Sequence, residues 1–284
     1  MTGQATGGIN SSGGARRLID ENTENFPVGS FLIGQQFRPH VHAFYLFARE
    51  ADDIADSPDI QAEEKIAQLE AVQRAITIDE TALPDWSVPY HRSLLEQGLS
   101  SVNGCYLLSA FIQDATKQRY RDWDDLMDYC MRSAASVGRV MMDIHGETDA
   151  DIEGSDALCC ALQVLNHLQD CKKDYLALDR VYLPEPWLIE AGGGVEDLAH
   201  DRETPAVRRV IDRCLDETEL LLHRAERMPR SVRRRGLRLE SAFIVNLAWA
   251  LSRQLRRQDP LANPVKVSKL GWLLCGLKGV VGAW

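Results

Sequence analysis

The chain has 284 residues, 45% of them hydrophobic, and a formal charge of −10. That balance excludes an ordinary nucleic-acid binder, which needs a basic face to displace counterions, and suits an enzyme that acts on a small molecule or uses a metal. Seven scattered cysteines with no CxxC pair exclude a disulfide framework or a zinc site; they read as small buried hydrophobes in a reducing cytosol.

Residues 1–17, "MTGQATGGINSSGGARR", are Gly/Ser-rich and lack the apolar segment of a signal peptide, so they read as a disordered tail before one domain covering 18–284. No run of about 20 apolar residues is present to span a bilayer. After the tail, apolar residues recur at spacings of three and four, which predicts an all-α protein. The first helix is expected from Arg38 to Asp56, with Pro39 in its first turn and Pro58 just past its end. Further helices are expected over Gln61–Ile76, Tyr90–Gly104 and Leu107–Tyr120. Asp122 is placed to cap a long helix reaching Gly146, and another runs from Ser155 to Leu178. A loop is expected over about Pro184–Glu196, then helices over Glu203–Met228 and Arg233–Arg257 and a final apolar helix from about Val267. The sequence shows no internal repeat, and one helical bundle around a central apolar cavity is the economical architecture.

Two of these helices carry acid where apolar neighbours predict burial. In "FYLFAREADDIADSP", Asp52 and Asp56 share a face with Arg49 and Tyr45 one turn and two turns earlier, while Asp53 lies about 100° round. In "ALQVLNHLQDCKKDYLALDRVYLP", Asn166, Asp170 and Asp174 recur at four-residue spacing with Gln163 preceding them. One acidic pair would be an ordinary solvated face. Two such stripes on apolar helices require compensation, because carboxylates brought together repel. A hard divalent cation with oxygen ligands supplies it; Mg²⁺ fits best because it keeps waters and accepts phosphate oxygens. Arg49, Lys172, Lys173 and Arg180 are the cations that a diphosphate would also attract. A diphosphate head with a hydrocarbon tail is the substrate class this pattern suits.

At this point the chain resembles the squalene/phytoene synthase branch of the trans-isoprenyl diphosphate synthases, over about Glu24 to Leu261. Arg49–Asp56 is similar to the first aspartate-rich motif, Gln163–Asp174 to the second, Arg180–Pro184 to the "RVYLP" that follows, and Tyr129–Gly138 to the small-residue helix lining the tail channel. "ENFPVGSFLI", "QDATKQRYRDWDDLMDYC" and "NHLQDCKKDY" are most similar to the bacterial subgroup of hopanoid-type squalene pathways, which turns presqualene diphosphate and water into hydroxysqualene and diphosphate. The synthases that condense two prenyl diphosphates usually have arginine before the second motif's first aspartate. Here it is Gln169, and the usual "VAG" is "SAAS", which shifts the expectation toward ionising a diphosphate already made. Presqualene diphosphate synthase, squalene synthase and phytoene synthase are the alternatives.

The resemblance implies several Mg²⁺ ions held by Asp52, Asp53, Asp56, Asn166, Asp170 and Asp174, with Arg49 and Gln163 acting on the leaving diphosphate. It implies substrate contacts from Thr23, Phe26, Lys173 and Arg180. Of the family's N-terminal "SxSF", this chain's "TENF" keeps only the phenylalanine. Tyr45 and Tyr129 either stabilise a carbocation or orient water, or else belong to the core. His167, one residue off the stripe, reads as structural, and Asp114, Lys117 and Arg119 as a solvated face. "AGGGVED" is not a dinucleotide fingerprint, and no NADPH is expected.

The expected location is cytoplasmic, with peripheral contact at the inner face of the membrane and with other squalene-pathway enzymes as further expectations. The basic run "RMPRSVRRRGLRLE" reads as a loop and solvated helix start or as a contact for anionic lipid. The tail "KLGWLLCGLKGVVGAW" either caps the core or lies at a membrane interface.

Overall fold

The computed structural model describes residues 32–78 and 80–282; the expected N-terminal tail, Thr23 and Phe26 lie outside the described residues. The all-α expectation holds. Among the described residues there is no strand, only one parallel bridge between Arg119 and Val181.

Helix α1 spans Arg38–Asp56, with the bounds the sequence predicts. Val41, Phe44, Phe47, Ala51 and Ala55 recur at helical spacing and are all buried, so the opposite side of α1 is left to its polar residues. Helices α2 (Ala62–Ile78), α3 (Val88–Gln97) and α4 (Val102–Asp114) pack around it. The rings of Phe47 and Tyr90 lie 4.6 Å apart at the centre of this cluster. The expected break between α3 and α4 falls in a different place. Gly98 adopts φ 64° and ends α3, its N–H bonding back to the Leu94 and Leu95 carbonyls. Gly104, expected to end a helix, lies inside α4, where a Cβ would come within 2.9 Å of the Tyr90 ring.

Asp122 caps the next helix as expected, its side chain accepting from the Asp125 N–H at 2.8 Å; such a cap contributes about 1 kcal/mol. That helix is not uniform. Helix α5 (Trp123–Cys130) passes through a π turn at Met131–Ala135 into α6 (Ser136–His145). The inserted residue shifts the register, so that Tyr129 faces one apolar cluster while Val140 and Ile144 face the other.

Helix α7 (Ile152–Leu178) runs through the second, larger cluster. Asp151 caps its start, and Asp179, at φ 51°, turns the chain sharply at its end. The segment expected as a loop holds a short helix α8 (Glu185–Glu190) and a 3₁₀ turn at Val195–Ala199, pinned by fully buried Leu188 and Leu198. Helices α9 (Pro205–Ala225), α10 (Met228–Ser231), α11 (Arg235–Leu255) and α12 (Lys269–Gly282) complete the order. The two clusters meet at α6. Helix α1 belongs to one and α7 to the other, so the two acidic stripes sit on opposite halves of the molecule.

Candidate active site

On α1, Arg49 lies between the aspartates. Its Nη1 is 3.6 Å from Asp52 and its Nη2 is 3.1 Å from Asp53. Asp53 is exposed and stands at the solvent edge of the stripe, while Asp52 and Asp56 are half-buried. Burial first, and then the neighbouring Asp56, push the Asp52 carboxyl up to about 6. On α7, Asp174 is pushed up to about 7 by burial and by Asp170, with Asp56 across the site adding to the effect. The two stripes are thus near enough for their charges to act on each other. Asp170 is half-exposed, 3.9 Å from Lys173, which is itself exposed. Gln163 and Asn166 lie half-buried on the same helix, and Tyr45 is half-buried on α1.

Arg180 joins the halves. The Asp179 turn sends the chain back beside the segment after α4, where the Val181 N–H bonds to the Gln118 carbonyl at 2.9 Å. Arg180 is only 6% exposed. Its Nη1 donates to Asp56 Oδ1 at 3.1 Å and to the Tyr182 hydroxyl at 3.2 Å; its Nη2 donates to the Asp114 carbonyl at 3.0 Å. One guanidinium from the α7 half therefore holds an aspartate of α1. Its rigid fork is suited to this, and a buried lysine could not reproduce it.

Asp114 is the residue that the sequence reading misplaced. It was expected on a solvated face, but the structure buries it at 5% exposure, because α4 ends there instead of continuing to Tyr120. The Tyr129 hydroxyl donates to Asp114 Oδ2 at 2.8 Å. Burial raises the Asp114 carboxyl to about 7, against the opposing pull of Arg180 and of the Tyr129 hydrogen bond. Tyr120, Tyr129 and Tyr182 stand around this carboxylate with ring centroids 5.6 Å apart in each pair. Tyr120 and Tyr182 lie in stretches that carry the family resemblance, but neither stands out there as a site residue. His167 stacks on Tyr182 at 3.4 Å, and burial, with Arg180 nearby, lowers its pKa to about 3, leaving a neutral ring in the core. Lys172, expected among the cations for a diphosphate, turns away to Asp201 at 3.2 Å, and Arg119, expected on a solvated face, pairs with Asp179. The Gln169 amide is spent on the Val265 carbonyl, tying α7 to the strand of chain before α12. Asp170 and Lys173 border a cleft of 510 Å³ on that side.

The donor set fits a hard divalent cation. Every candidate ligand is an oxygen. Buried Asp114 Oδ1 and Arg180 Nε, 3.9 Å apart, have no hydrogen-bond partner among the described residues. Among the same residues no three His, Cys, Asp or Glu side chains converge into a closed cage. The aspartates sit in pairs on separate walls, an arrangement that leaves ligand positions to oxygens from outside the protein.

Residues 19–271 match the family described as Squalene/phytoene synthase. The chain belongs to that family, whose members are enzymes that process prenyl diphosphates. Among curated proteins it is 39% identical to the hydroxysqualene synthase of Zymomonas mobilis, over 87% of this chain and 83% of that one. It is 38% identical to the hydroxysqualene synthase of Rhodopseudomonas palustris, over 88% and 86%. Among solved structures it is similar to squalene synthase HpnC from Alicyclobacillus acidocaldarius, with a TM-score of 0.73 and 30% identity over 86% of this chain and 92% of that one.

Proposed function

We propose that the chain is a hydroxysqualene synthase, which ionises presqualene diphosphate and lets water capture the cation to give hydroxysqualene and diphosphate. The observation that carries the reading is Arg180, a buried cation bound at once to Asp56 of the first stripe and to the end of α4 beside Asp114. It fixes a positive group beside Asp56, the α1 acid whose charge acts on Asp174 of α7. The names of the two curated relatives select the reaction within the family.

In this reading Asp52, Asp56, Asn166, Asp170 and Asp174 hold Mg²⁺, with Asp53 at the outer edge. Bound Mg²⁺ would supply Lewis-acid stabilisation of the charge that develops on the departing diphosphate. Arg180 contributes a fixed positive charge that needs no rearrangement as the C–O bond breaks, since three acceptors already hold it. Arg49 and Lys173, both exposed at the rim, bind the outer phosphate, and Gln163 orients it from α7. Tyr129 already donates its hydroxyl hydrogen bond to Asp114. Its remaining asset toward substrate is the ring face, which stabilises positive carbon. Thr23 and Phe26, outside the described residues, remain substrate contacts that the family resemblance implies.

Purified protein given Mg²⁺ and presqualene diphosphate should yield hydroxysqualene without NADPH, and farnesyl diphosphate should be left unconsumed. Conversion of farnesyl diphosphate to presqualene diphosphate, or a requirement for NADPH, would move the chain to one of the condensing or reducing branches.

A further inference from the structure

We propose that the solvent face of α12 docks on an anionic lipid surface. Leu270, Leu273, Leu274 and Leu277 follow one another at spacings of three, one and three, the pattern of a single helical face. They are exposed at 66%, 61%, 50% and 59%. An unbroken leucine row of this kind on a water-facing helix needs a partner.

Among the described residues, none covers this face. The other side of α12 is already seated on α11. Trp272 packs on Phe243 with ring centroids 5.4 Å apart, Cys275 is buried, and Gly279 lies so close that a Cβ would come within 3.0 Å of the Phe243 nitrogen. Turning the leucines inward would carry the neighbouring Lys269 and Lys278 toward the core and expose Cys275 and Trp272, so this seam fixes the outward orientation.

Charge selects the occupant. The chain carries −10 overall, yet no Asp or Glu follows Asp259, and Lys266, Lys269 and Lys278 all lie beyond it. All three are exposed, and none is in an ion pair among the described residues. Lys269 and Lys278 bracket the leucine row. Two copies of this chain meeting through α12 in antiparallel fashion would set Lys269 against Lys278, and in parallel each against itself; both pairings repel. Anionic head groups attract the same lysines while the leucines enter the acyl boundary. The described helix is about 21 Å long, and no helix among the described residues is long and apolar enough to cross a membrane, so the docking proposed is along the surface. The basic run Arg233–Arg238 is not part of this surface. The Arg233 and Arg234 N–H groups bond to Glu147, Arg233 pairs with Asp149, and the Arg238 side chain donates to the Val232 carbonyl.

The inference does not depend on which prenyl diphosphate is the substrate, and its test reads binding alone. The full chain is mixed with phosphatidylcholine vesicles, with or without phosphatidylglycerol, and floated. Wild-type protein should float with the anionic vesicles, and Leu273→Glu/Leu277→Glu should stay at the bottom. Lys269→Gln/Lys278→Gln, which leaves the α11 seam untouched, should partition less by about fivefold per lysine and lose the preference for phosphatidylglycerol. Circular dichroism and turnover in detergent should be unchanged in both variants. Three results would overturn the proposal: wild type that does not float, a glutamate variant that floats like wild type, or a wild-type dimer in sedimentation analysis that the glutamate variant dissociates.

Discussion

The molecule handles clustered carboxylates in two opposite ways. At the seam of α9 and α11, Glu219 accepts from Arg256 Nε and from Ser252 Oγ, both at 2.8 Å, and Arg256 Nη2 also reaches Asp216 at 2.6 Å. The hydrogen bond from Arg256 holds the Glu219 carboxyl below its ordinary range. Between α1 and α7 the order is reversed: burial and like charges push Asp52 and Asp174 up to about 6 and about 7. The first cluster is complete in itself and serves stability. The second is left with an excess of negative charge that its own arginines do not cancel, which is the condition a cation-requiring site must meet before its ligand arrives.

The contrast can be broken in four ways. The largest effect is expected on turnover. Asp52→Ala and Asp174→Ala should each lower it about 10³-fold or more, with helical content by circular dichroism unchanged; near-normal turnover in either would remove that residue from the site. Next is Arg180→Met, which leaves Asp56 and Asp114 without their shared partner. Chemical denaturation should show a loss of about 3–5 kcal/mol, and turnover should fall as well.

The third effect is on pH dependence without metal. A carboxyl whose pKa is higher in the folded than in the unfolded chain binds protons preferentially when folded. Stability from Asp52 and Asp174 is therefore greatest below the ordinary carboxylate value of about 4 and declines as pH rises from there toward about 7. The difference in denaturation free energy between wild type and Asp174→Asn, followed across that window, should move against wild type as pH rises. Mg²⁺ with inorganic diphosphate should restore wild type at neutral pH. The smallest effect is at the other cluster. Arg256→Ala should cost about 1 kcal/mol of stability and leave turnover untouched, and a large loss of turnover would show that the two clusters are not separate in function.

What was readable in the sequence divides along physical lines. Helix α1 has the predicted bounds because proline in the first turn, an unbroken apolar stripe and a proline past the end all agree. The break between α3 and α4 was misplaced because Leu94, Leu95, Leu99 and Val102 continue an apolar pattern through it. Glycine alone does not reveal whether it supplies a left-handed turn, as Gly98 does, or a gap for a distant ring, as Gly104 does for Tyr90. Asp52, Asp56, Asp170 and Asp174 were visible because helical spacing is local. Asp114 was not, because its burial depends on where α4 ends and on Arg180 and Tyr129 arriving from elsewhere in the chain. The Arg180 link between the two halves is a long-range fact of the same kind.

The central claim, that both walls hold one cation–diphosphate assembly, is best tested by calorimetric titration of Mg²⁺ in the presence of inorganic diphosphate. Wild type, Asp52→Ala, Asp174→Ala and the double variant form a cycle. Each single variant is predicted to lose nearly as much binding as the double, since either wall alone cannot hold the assembly. Losses that simply add, or Mg²⁺ binding that survives in both single variants, would mean that α1 and α7 bind independently and would contradict the account.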